Sequence, residues 1–400
     1  MPGQPVTAGP AARLRLEVNS ERLRIVRGLD VFSFDLAGRP LFWTLRGVTY
    51  RRGLDGRIKE IRRQDCEGEK FHETRLLDPQ EAAKALGEVR RVLAQAAQET
   101  GHELCARALE LDLNQDAARF RSIYSPVAIL PPDQYRALVL QLALGCSYNQ
   151  CSFCTFYKGV PYRVRPLAEF AVHVQQALDY MGPALSWRRG LFLGDANAAN
   201  LPFEVLAEAL EYLARVFPRT LRDAEGRPRH PLGFEQVASF LDTFSQLRRS
   251  VSEWKSLREL GLESLSLGVE SGSLEVLKLL RKPGAPDHVE ELVVRLKEAG
   301  VRVSVIVLAG IGGRLAGEHV SRTAALLNRL PLGPRDRVYV SELVCEPGSD
   351  YPRLAAAAGI PVMDRLECRR QSRALRAALE LPPYPEGPAV SPYDVRQFLY

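Results

Sequence analysis

The stretch ALVLQLALGCSYNQCSFC, residues 137–154, joins an apolar run to a short polar loop. The run has the composition of a β-strand that is buried on both faces. The loop carries Cys146, Cys151 and Cys154 in the spacing C-x4-C-x2-C. Three thiolates on one short loop can converge on a single metal centre, whereas the other four cysteines of the chain are scattered.

The loop has three cysteines, and this number indicates which kind of metal centre it can hold. A structural zinc site normally takes four protein ligands, and His173 lies nineteen residues after Cys154, inside a predicted helix. A [4Fe–4S] cluster on three thiolates leaves one iron open for chemistry. The pattern favours such an open cluster. Packing of the cysteines in a core, a zinc site completed by a distant residue, and an electron-transfer cluster stay open as alternatives.

The region around this loop alternates apolar strands with amphipathic helices, which predicts an α/β fold with a parallel sheet. Six strand candidates lie at residues 137–144, 190–194, 235–240, 264–269, 302–308 and 338–344. Helices are predicted at 167–180, 203–216, 273–280, 288–299 and 317–330. Six such units suit a full sheet or a partial barrel, in which ligands bind at the carboxyl ends of the strands.

Four segments are expected along the chain: 1–12, 13–130, 135–347 and 348–400. The first is rich in Pro, Gly and Ala and is expected to be disordered. The second is expected to be an α+β region. Short apolar or β-branched runs at 31–34, 41–45, 48–51 and 58–61 predict an antiparallel sheet. A helix is predicted from Asp78 to about Thr100, opened by a capping box with Glu81. The last segment is expected to be a C-terminal extension, with a helix near 368–379.

Composition excludes several classes of protein. The net charge of +6 is mild for 400 residues, and acidic residues are interspersed with the basic ones. This pattern favours a small-molecule substrate over nucleic acid. No apolar run approaches the length of a membrane span, and the first ten residues lack the features of a secretory signal. The expected location is the cytoplasm.

The cysteine loop resembles that of the radical S-adenosylmethionine (SAM) superfamily, whose usual signature is C-x3-C-x2-C with an aromatic residue before the last cysteine. Phe153 occupies that aromatic position, and this chain has one extra residue between the first two cysteines. The resemblance covers residues 135–347. It implies a partial (β/α)6 barrel, a [4Fe–4S] cluster on Cys146, Cys151 and Cys154, and S-adenosyl-L-methionine as the second cofactor.

The ends of the later strands are similar to further elements of the superfamily, in its branch of coproporphyrinogen dehydrogenases and methylthiotransferases. The resemblance implies that Gly194 and Asp195 meet the methionine amine, and that Glu270 and Ser271 lie at the ribose or methionine end of the cofactor. It also implies that Phe153 and Gly310 contact the adenine. Cys345 follows the sixth strand, where we expect a hydrogen-atom donor to a substrate radical, a ligand of a bound group, or a small buried structural residue.

The resemblance implies a reaction as well. One electron from a reductant such as flavodoxin or ferredoxin enters the cluster, SAM is cleaved, and a 5′-deoxyadenosyl radical abstracts hydrogen from a substrate. Radical chemistry on RNA and a non-catalytic iron–sulfur or zinc protein are the competing hypotheses. The residues name neither the substrate nor the oligomeric state.

Overall fold

The computed structural model describes residues 14–66, 68–217, 236–245 and 249–400. These residues form two compact units. The first consists of residues 14–123 together with Leu178–Trp187 and Leu399–Tyr400, and the second contains Tyr124–Ala177 and the remainder up to Phe398. The segment 1–12, predicted to be disordered, lies outside the described residues.

The first unit contains an antiparallel sheet of seven strands that pair in sequence order. The strands are β1 (Leu14–Val18), β2 (Arg22–Arg27), β3 (Asp30–Asp35), β4 (Pro40–Leu45), β5 (Val48–Arg52), β6 (Ile58–Cys66) and β7 (Glu69–Leu76). The four predicted runs correspond to β3 through β6. One face carries a cross-strand row of Ile25, Phe32, Trp43 and Tyr50. Because cross-strand neighbours share a face, this row forms a continuous apolar surface.

Three helices follow the sheet: α1 (Pro79–Thr100), α2 (Glu103–Glu110) and α3 (Leu113–Ile123). The capping box predicted at the start of α1 is present, with the Asp78 side chain accepting the Glu81 N–H at 2.8 Å. The α1 residues Val92 and Leu93 are buried in one core with the apolar row of the sheet. The apolar stripe of α1 therefore packs against the apolar row of the sheet.

A buried ionic network lies in the same unit. Arg39 Nε lies 2.8 Å from Asp116 Oδ1, and Arg52 Nη1 lies 3.8 Å from Asp116 Oδ2. The Tyr180 hydroxyl donates to Asp116 Oδ2 at 3.2 Å, and Arg39 donates to the Tyr180 carbonyl at 2.8 Å. Asp35 Oδ2 also lies 3.6 Å from Arg39 Nη1, so Asp35 and Asp116 both compensate Arg39, whereas Arg52 is paired with Asp116. Loss of the Asp116 charge would leave the buried Arg52 guanidinium without its nearest carboxylate.

The second unit is built on a sheet of seven parallel strands. In spatial order they are β8 (Leu138–Gln141), β11 (Leu191–Gly194), β12 (Val237–Leu241), β13 (Leu262–Glu270), β14 (Arg302–Ala309), β15 (Arg337–Glu342) and β16 (Ala389–Tyr393). The first six match the six predicted strands, which confirms the α/β class with an open, partial-barrel sheet. A short antiparallel pair, β9 (Ala143–Leu144) and β10 (Arg163–Val164), frames the cysteine loop.

Helices connect successive strands of this sheet, as parallel pairing demands. They are α4 (Leu167–Met181), α5 (Phe203–Val216), α6 (Val251–Glu259), α7 (Leu274–Leu279), α8 (Pro286–Glu298), α9 (Ala316–Arg329), α10 (Tyr351–Ala357) and α11 (Arg365–Ala377). Within the described ranges, no helix is long and apolar enough to span a bilayer. The residues after 347, expected as an extension, supply α11 and the edge strand β16 to the same unit.

Candidate cluster and cofactor site

The cysteine loop begins at the carboxyl edge of the first parallel strand, where Gly145 turns the chain. Gly145 has a φ of +70°, and a Cβ there would lie 2.9 Å from the Val160 carbonyl oxygen. Any other residue would be strained in its backbone and blocked by that oxygen. The glycine therefore lets the chain enter the loop immediately before Cys146.

Polar contacts inside the loop fix its path. Asn149 has a φ of +48°, and its side-chain amide donates to the Tyr157 carbonyl at 2.9 Å. The Lys158 ammonium donates to the Asn149 carbonyl at 2.6 Å. The Asn149 N–H points at Cys146 Sγ, 3.3 Å away. Asparagine suits this position because it tolerates the left-handed conformation.

The three thiols are partly buried and unpaired. The pKa of Cys151 is raised to about 12, mainly by burial, which Lys282 opposes and to which Glu270 and the other two thiols add. Burial likewise raises the pKa of Cys154, which a hydrogen bond with the Phe156 backbone opposes. Thiolates form here at a cost that a bound metal offsets, since metal binding and deprotonation are coupled.

The donor set suits a cluster. In the part of the chain that the structure describes, no three His, Cys, Asp or Glu side chains form a site for a single metal ion. A cubane cluster does not need its donors to surround one ion, because each thiolate binds a separate iron. Three partly buried thiols on one loop, close enough to interact electrostatically, meet this requirement.

Asp195 lies at the end of β11 and holds the entrance of the loop. Its Oδ2 accepts the Gly145 N–H at 3.1 Å, and its Oδ1 accepts the side-chain amide of Gln141 at 2.8 Å. Burial raises the pKa of Asp195 to about 6, against the lowering effect of these two hydrogen bonds. Gly194 before it packs closely, since a Cβ would lie 3.3 Å from the Val139 side chain. Both predicted residues therefore lie beside the cysteine loop.

Glu270 ends β13 in a left-handed conformation, with a φ of +63°, at a register shift against β14. Its carboxylate is almost fully buried and pairs with Lys282, whose Nζ lies 3.2 Å from Glu270 Oε1. Burial raises the pKa of Glu270, and the lysine opposes that rise. A strained, buried carboxylate at a strand end is the kind of feature that the surrounding structure maintains for a function.

Ser271, the next residue, is turned into the protein. Its hydroxyl lies 2.8 Å from His319 Nδ1 and also accepts the Ser273 N–H at 3.0 Å. His319 Nε2 lies 2.8 Å from the Leu308 carbonyl oxygen, which only accepts, so the ring proton is on Nε2 and Nδ1 accepts from Ser271. This network joins the ends of β13 and β14. In it, the Ser271 hydroxyl is hydrogen-bonded to His319 of the same chain.

Gly310 follows β14 with a φ of +127°. Its N–H donates to Gln371 Oε1 at 2.6 Å, and its carbonyl accepts from the Tyr351 hydroxyl at 3.4 Å. A Cβ at Gly310 would lie 2.9 Å from Cys368 Sγ. Phe153 packs against the apolar cluster that contains Tyr351. The predicted adenine-side residues Phe153 and Gly310 thus both lie beside this cluster.

Cys345 lies in the loop after β15 and is exposed, so the expectation of a buried structural thiol does not describe it. Burial of part of the side chain still raises the pKa of Cys345. Burial raises the pKa of Tyr351 to about 12, and the nearby Cys345 and Cys368 raise it as well.

Four residues of this site were not singled out from the sequence: Gln141, Lys282, His319 and Gln371. Gln141 gave a usable signal, because a buried amide in the middle of an apolar strand needs a partner. The other three lie on helices or loops, in polar segments that look like ordinary solvated surface. Only the fold brings them to the strand ends.

Comparison with known proteins identifies the domain. Residues 140–321 match the family model described as the radical SAM superfamily. No curated protein matches the chain in sequence. Members of this superfamily use a [4Fe–4S] cluster and SAM.

Solved structures of the superfamily resemble the chain at low sequence identity. A radical SAM methyltransferase, TsrM from Kitasatospora setae, solved with cobalamin and a [4Fe–4S] cluster, is 19% identical with a TM-score of 0.40 over 54% of this chain and 39% of its own. Coproporphyrinogen III oxidase (HemN) from Escherichia coli is 16% identical with a TM-score of 0.43 over 60% of this chain and 52% of its own. HydG, a maturase of the [FeFe]-hydrogenase, is 16% identical with a TM-score of 0.39 over 75% and 66%.

The chain thus spans between about two fifths and two thirds of the lengths of these three structures. The family match contains the cysteine loop and the ends of β11, β13 and β14, which are the positions from which the resemblance was inferred. The domain at residues 140–321 belongs to the radical SAM superfamily.

Proposed function

We propose that the chain is a radical SAM enzyme in which Cys146, Cys151 and Cys154 bind three irons of a [4Fe–4S] cluster. The observation that carries the proposal is the position of the three-thiol loop: it opens at the carboxyl edge of β8, where ligands of parallel sheets collect. When bound, the cluster and SAM supply one-electron cleavage of the cofactor to methionine and a 5′-deoxyadenosyl radical, which takes a hydrogen atom from the substrate.

The chain's own residues position these groups. The Asp195 carboxylate fixes the loop entrance through the Gly145 N–H. Glu270, held by Lys282, would meet the ribose or methionine end of the cofactor. Phe153 and the Gly310 turn would contact the adenine. The apolar cluster around Phe153 and Tyr351 excludes water, which protects a reactive radical from side reactions.

The mild charge and the interspersed acidic residues support a small-molecule substrate over RNA. The proposal includes an electron donor of the flavodoxin or ferredoxin type and a location in the cytoplasm, where low-potential donors and reduced thiols coexist.

The proposal is tested by anaerobic reconstitution with iron and sulfide, followed by addition of SAM and dithionite. We expect a cluster with about four irons per chain, and 5′-deoxyadenosine detected by mass spectrometry. Cys151→Ala should abolish both the cluster absorbance and this product. Cys105→Ala, which removes a buried thiol of the other unit, is the matched control and should retain both.

Two outcomes would contradict the proposal. An intact cluster that forms no 5′-deoxyadenosine would indicate an electron-transfer protein. Binding of one zinc in preference to iron and sulfide would indicate a structural metal site.

A further inference from the structure

Lys282 is a buried cation in the candidate site that the mechanism above uses only to hold Glu270. The two side chains are 11% and 8% exposed, and Nζ lies 3.2 Å from Oε1. A cation withdrawn so far from water loses hydration that one carboxylate only partly replaces. Lys282 also lies near the cysteine loop, where its charge can act on a group bound to the thiols.

The backbone segment just before Lys282 is hydrogen-bonded to the cysteine loop. Ser152, between Cys151 and Cys154, donates its N–H to the Leu280 carbonyl at 2.9 Å and its hydroxyl to the Leu279 carbonyl at 3.0 Å. The Tyr148 hydroxyl, from the same loop, donates to the Arg281 carbonyl at 2.7 Å. Three hydrogen bonds thus fix the lysine's segment against the loop.

Aromatic rings close this region from the side. The ammonium of Lys282 lies 6.0 Å from the centre of the Phe244 ring. Phe244 in turn meets Tyr148 of the cysteine loop edge-on, with ring centres 5.3 Å apart. Apolar rings lower the local dielectric constant, so a charge here acts on its neighbours more strongly than at the surface.

The charge of Lys282 reaches the thiols. At Cys151, burial raises the pKa most, Lys282 lowers it, and the smaller effect of Glu270 raises it. At Cys154 the lysine again exceeds the glutamate. The hydrogen bonds from Ser152 and Tyr148 keep the Lys282 segment beside these thiols.

We propose that the Lys282–Glu270 pair sets the reduction potential of the cluster, with Lys282 favouring the reduced state and Glu270 opposing it. This inference rests on the proposed function, since it needs a cluster on the three cysteines. Reduction adds one negative charge to a centre that already carries three thiolates. A nearby cation in a medium of low dielectric constant stabilises that extra charge, and a nearby carboxylate destabilises it.

The test is an EPR-monitored redox titration of the reconstituted protein without SAM, so that cofactor binding does not enter. Lys282→Met should lower the midpoint potential, with at least a tenfold loss of reduced cluster at fixed potential, or about 59 mV. Glu270→Gln should raise it. Lys282→Arg should stay near wild type. Arg281→Met, which removes the neighbouring exposed charge, is the control and should cause no comparable shift.

Opposite shifts in the two charge variants support the inference, because general damage to the site would not move the potential in both directions. Equal potentials in wild type, Lys282→Met and Glu270→Gln would overturn it while leaving the proposed function intact. Where Lys282→Met fails to hold a cluster, the direction of the shift in Glu270→Gln decides. A wild-type protein that forms no cluster overturns both proposals.

Discussion

Gln371 and Gly310 are sixty-one residues apart in sequence, and the Gln371 side chain holds the turn at Gly310. Oε1 accepts the N–H groups of Gly310 and Ile311 at 2.6 and 3.0 Å, and Nε2 donates to the Ile311 carbonyl at 2.7 Å. One buried amide therefore satisfies three backbone groups at the end of β14. Its helix, α11, lies outside the region that matches the family model.

Replacement of this amide tests whether the turn contacts the cofactor. Gln371→Met leaves two buried N–H groups without their acceptor, at a cost of about 1–3 kcal/mol each. We expect a lower melting temperature and SAM binding weakened by about tenfold or more, measured by calorimetry on the reconstituted protein. Arg376→Met, at an exposed position of the same helix, should change neither. Unchanged SAM affinity in a folded Gln371→Met variant would show that the turn serves stability alone.

Gly145 and Gly159 form a matched pair for the entrance of the cysteine loop. Both have positive φ, +70° and +80°, but only Gly145 has a carbonyl oxygen where a Cβ would lie. Gly159→Ala should cost about 1 kcal/mol from backbone strain, with normal iron content. Gly145→Ala should cost more and should also lower the iron bound per chain, because Cys146 follows directly. Equal iron content in the two variants would contradict this account.

Asp195 should make the stability of the cluster-free protein depend on pH. Its pKa of about 6 in the folded chain exceeds the ordinary value of 3.8, so folding favours the protonated form. The stabilisation is complete below about pH 4 and is lost as pH rises through about 6, by at most about 3 kcal/mol. We expect the unfolding free energy of wild type relative to Asp195→Asn to fall over this range, measured by urea denaturation. A difference that stays constant with pH would refute the raised pKa.

Substitution of Asp116 in the buried ionic network should strongly destabilise the first unit. Asp116→Asn removes the carboxylate paired with Arg52 and one of the two paired with Arg39, and breaking a buried pair in this way costs about 3–5 kcal/mol. Thermal unfolding followed by circular dichroism should show a much lower melting temperature than for Asp65→Asn, an exposed control. Adding Arg52→Met should recover part of the loss, because the guanidinium left without its carboxylate is then absent. A double variant no more stable than Asp116→Asn would contradict this explanation.

The sequence predicted the elements of the second unit because their signals are local. Apolar runs gave the first six parallel strands, and α5 has the predicted bounds, Phe203–Val216. The capping residues Asp78 and Glu81 likewise located the start of α1. Each of these signals involves residues fewer than about fifteen positions apart, where periodicity and capping operate.

What the sequence did not reveal depends on contacts between distant positions. β7 carries many polar residues and β16 contains a proline, so neither has the pattern typical of a strand. Lys282 becomes notable only because β13 ends at Glu270 in a left-handed turn that brings the two charges together. For Ser271 the sequence predicted more than the structure shows. Its motif predicted a contact with the cofactor, whereas its hydroxyl lies within hydrogen-bond distance of His319 on α9.

The edge strand β16 and the helix α11 have a consequence for where this protein can be divided. The family match ends at residue 321, but β16 pairs with β15, and the Tyr393 hydroxyl donates to the Leu130 carbonyl at 2.7 Å. Residues before and after the matched region are therefore joined to each other across the sheet. The region that matches the family is therefore smaller than the compact unit, so a fragment cut at residue 321 would lack β15, β16 and the Gln371 contacts at the Gly310 turn.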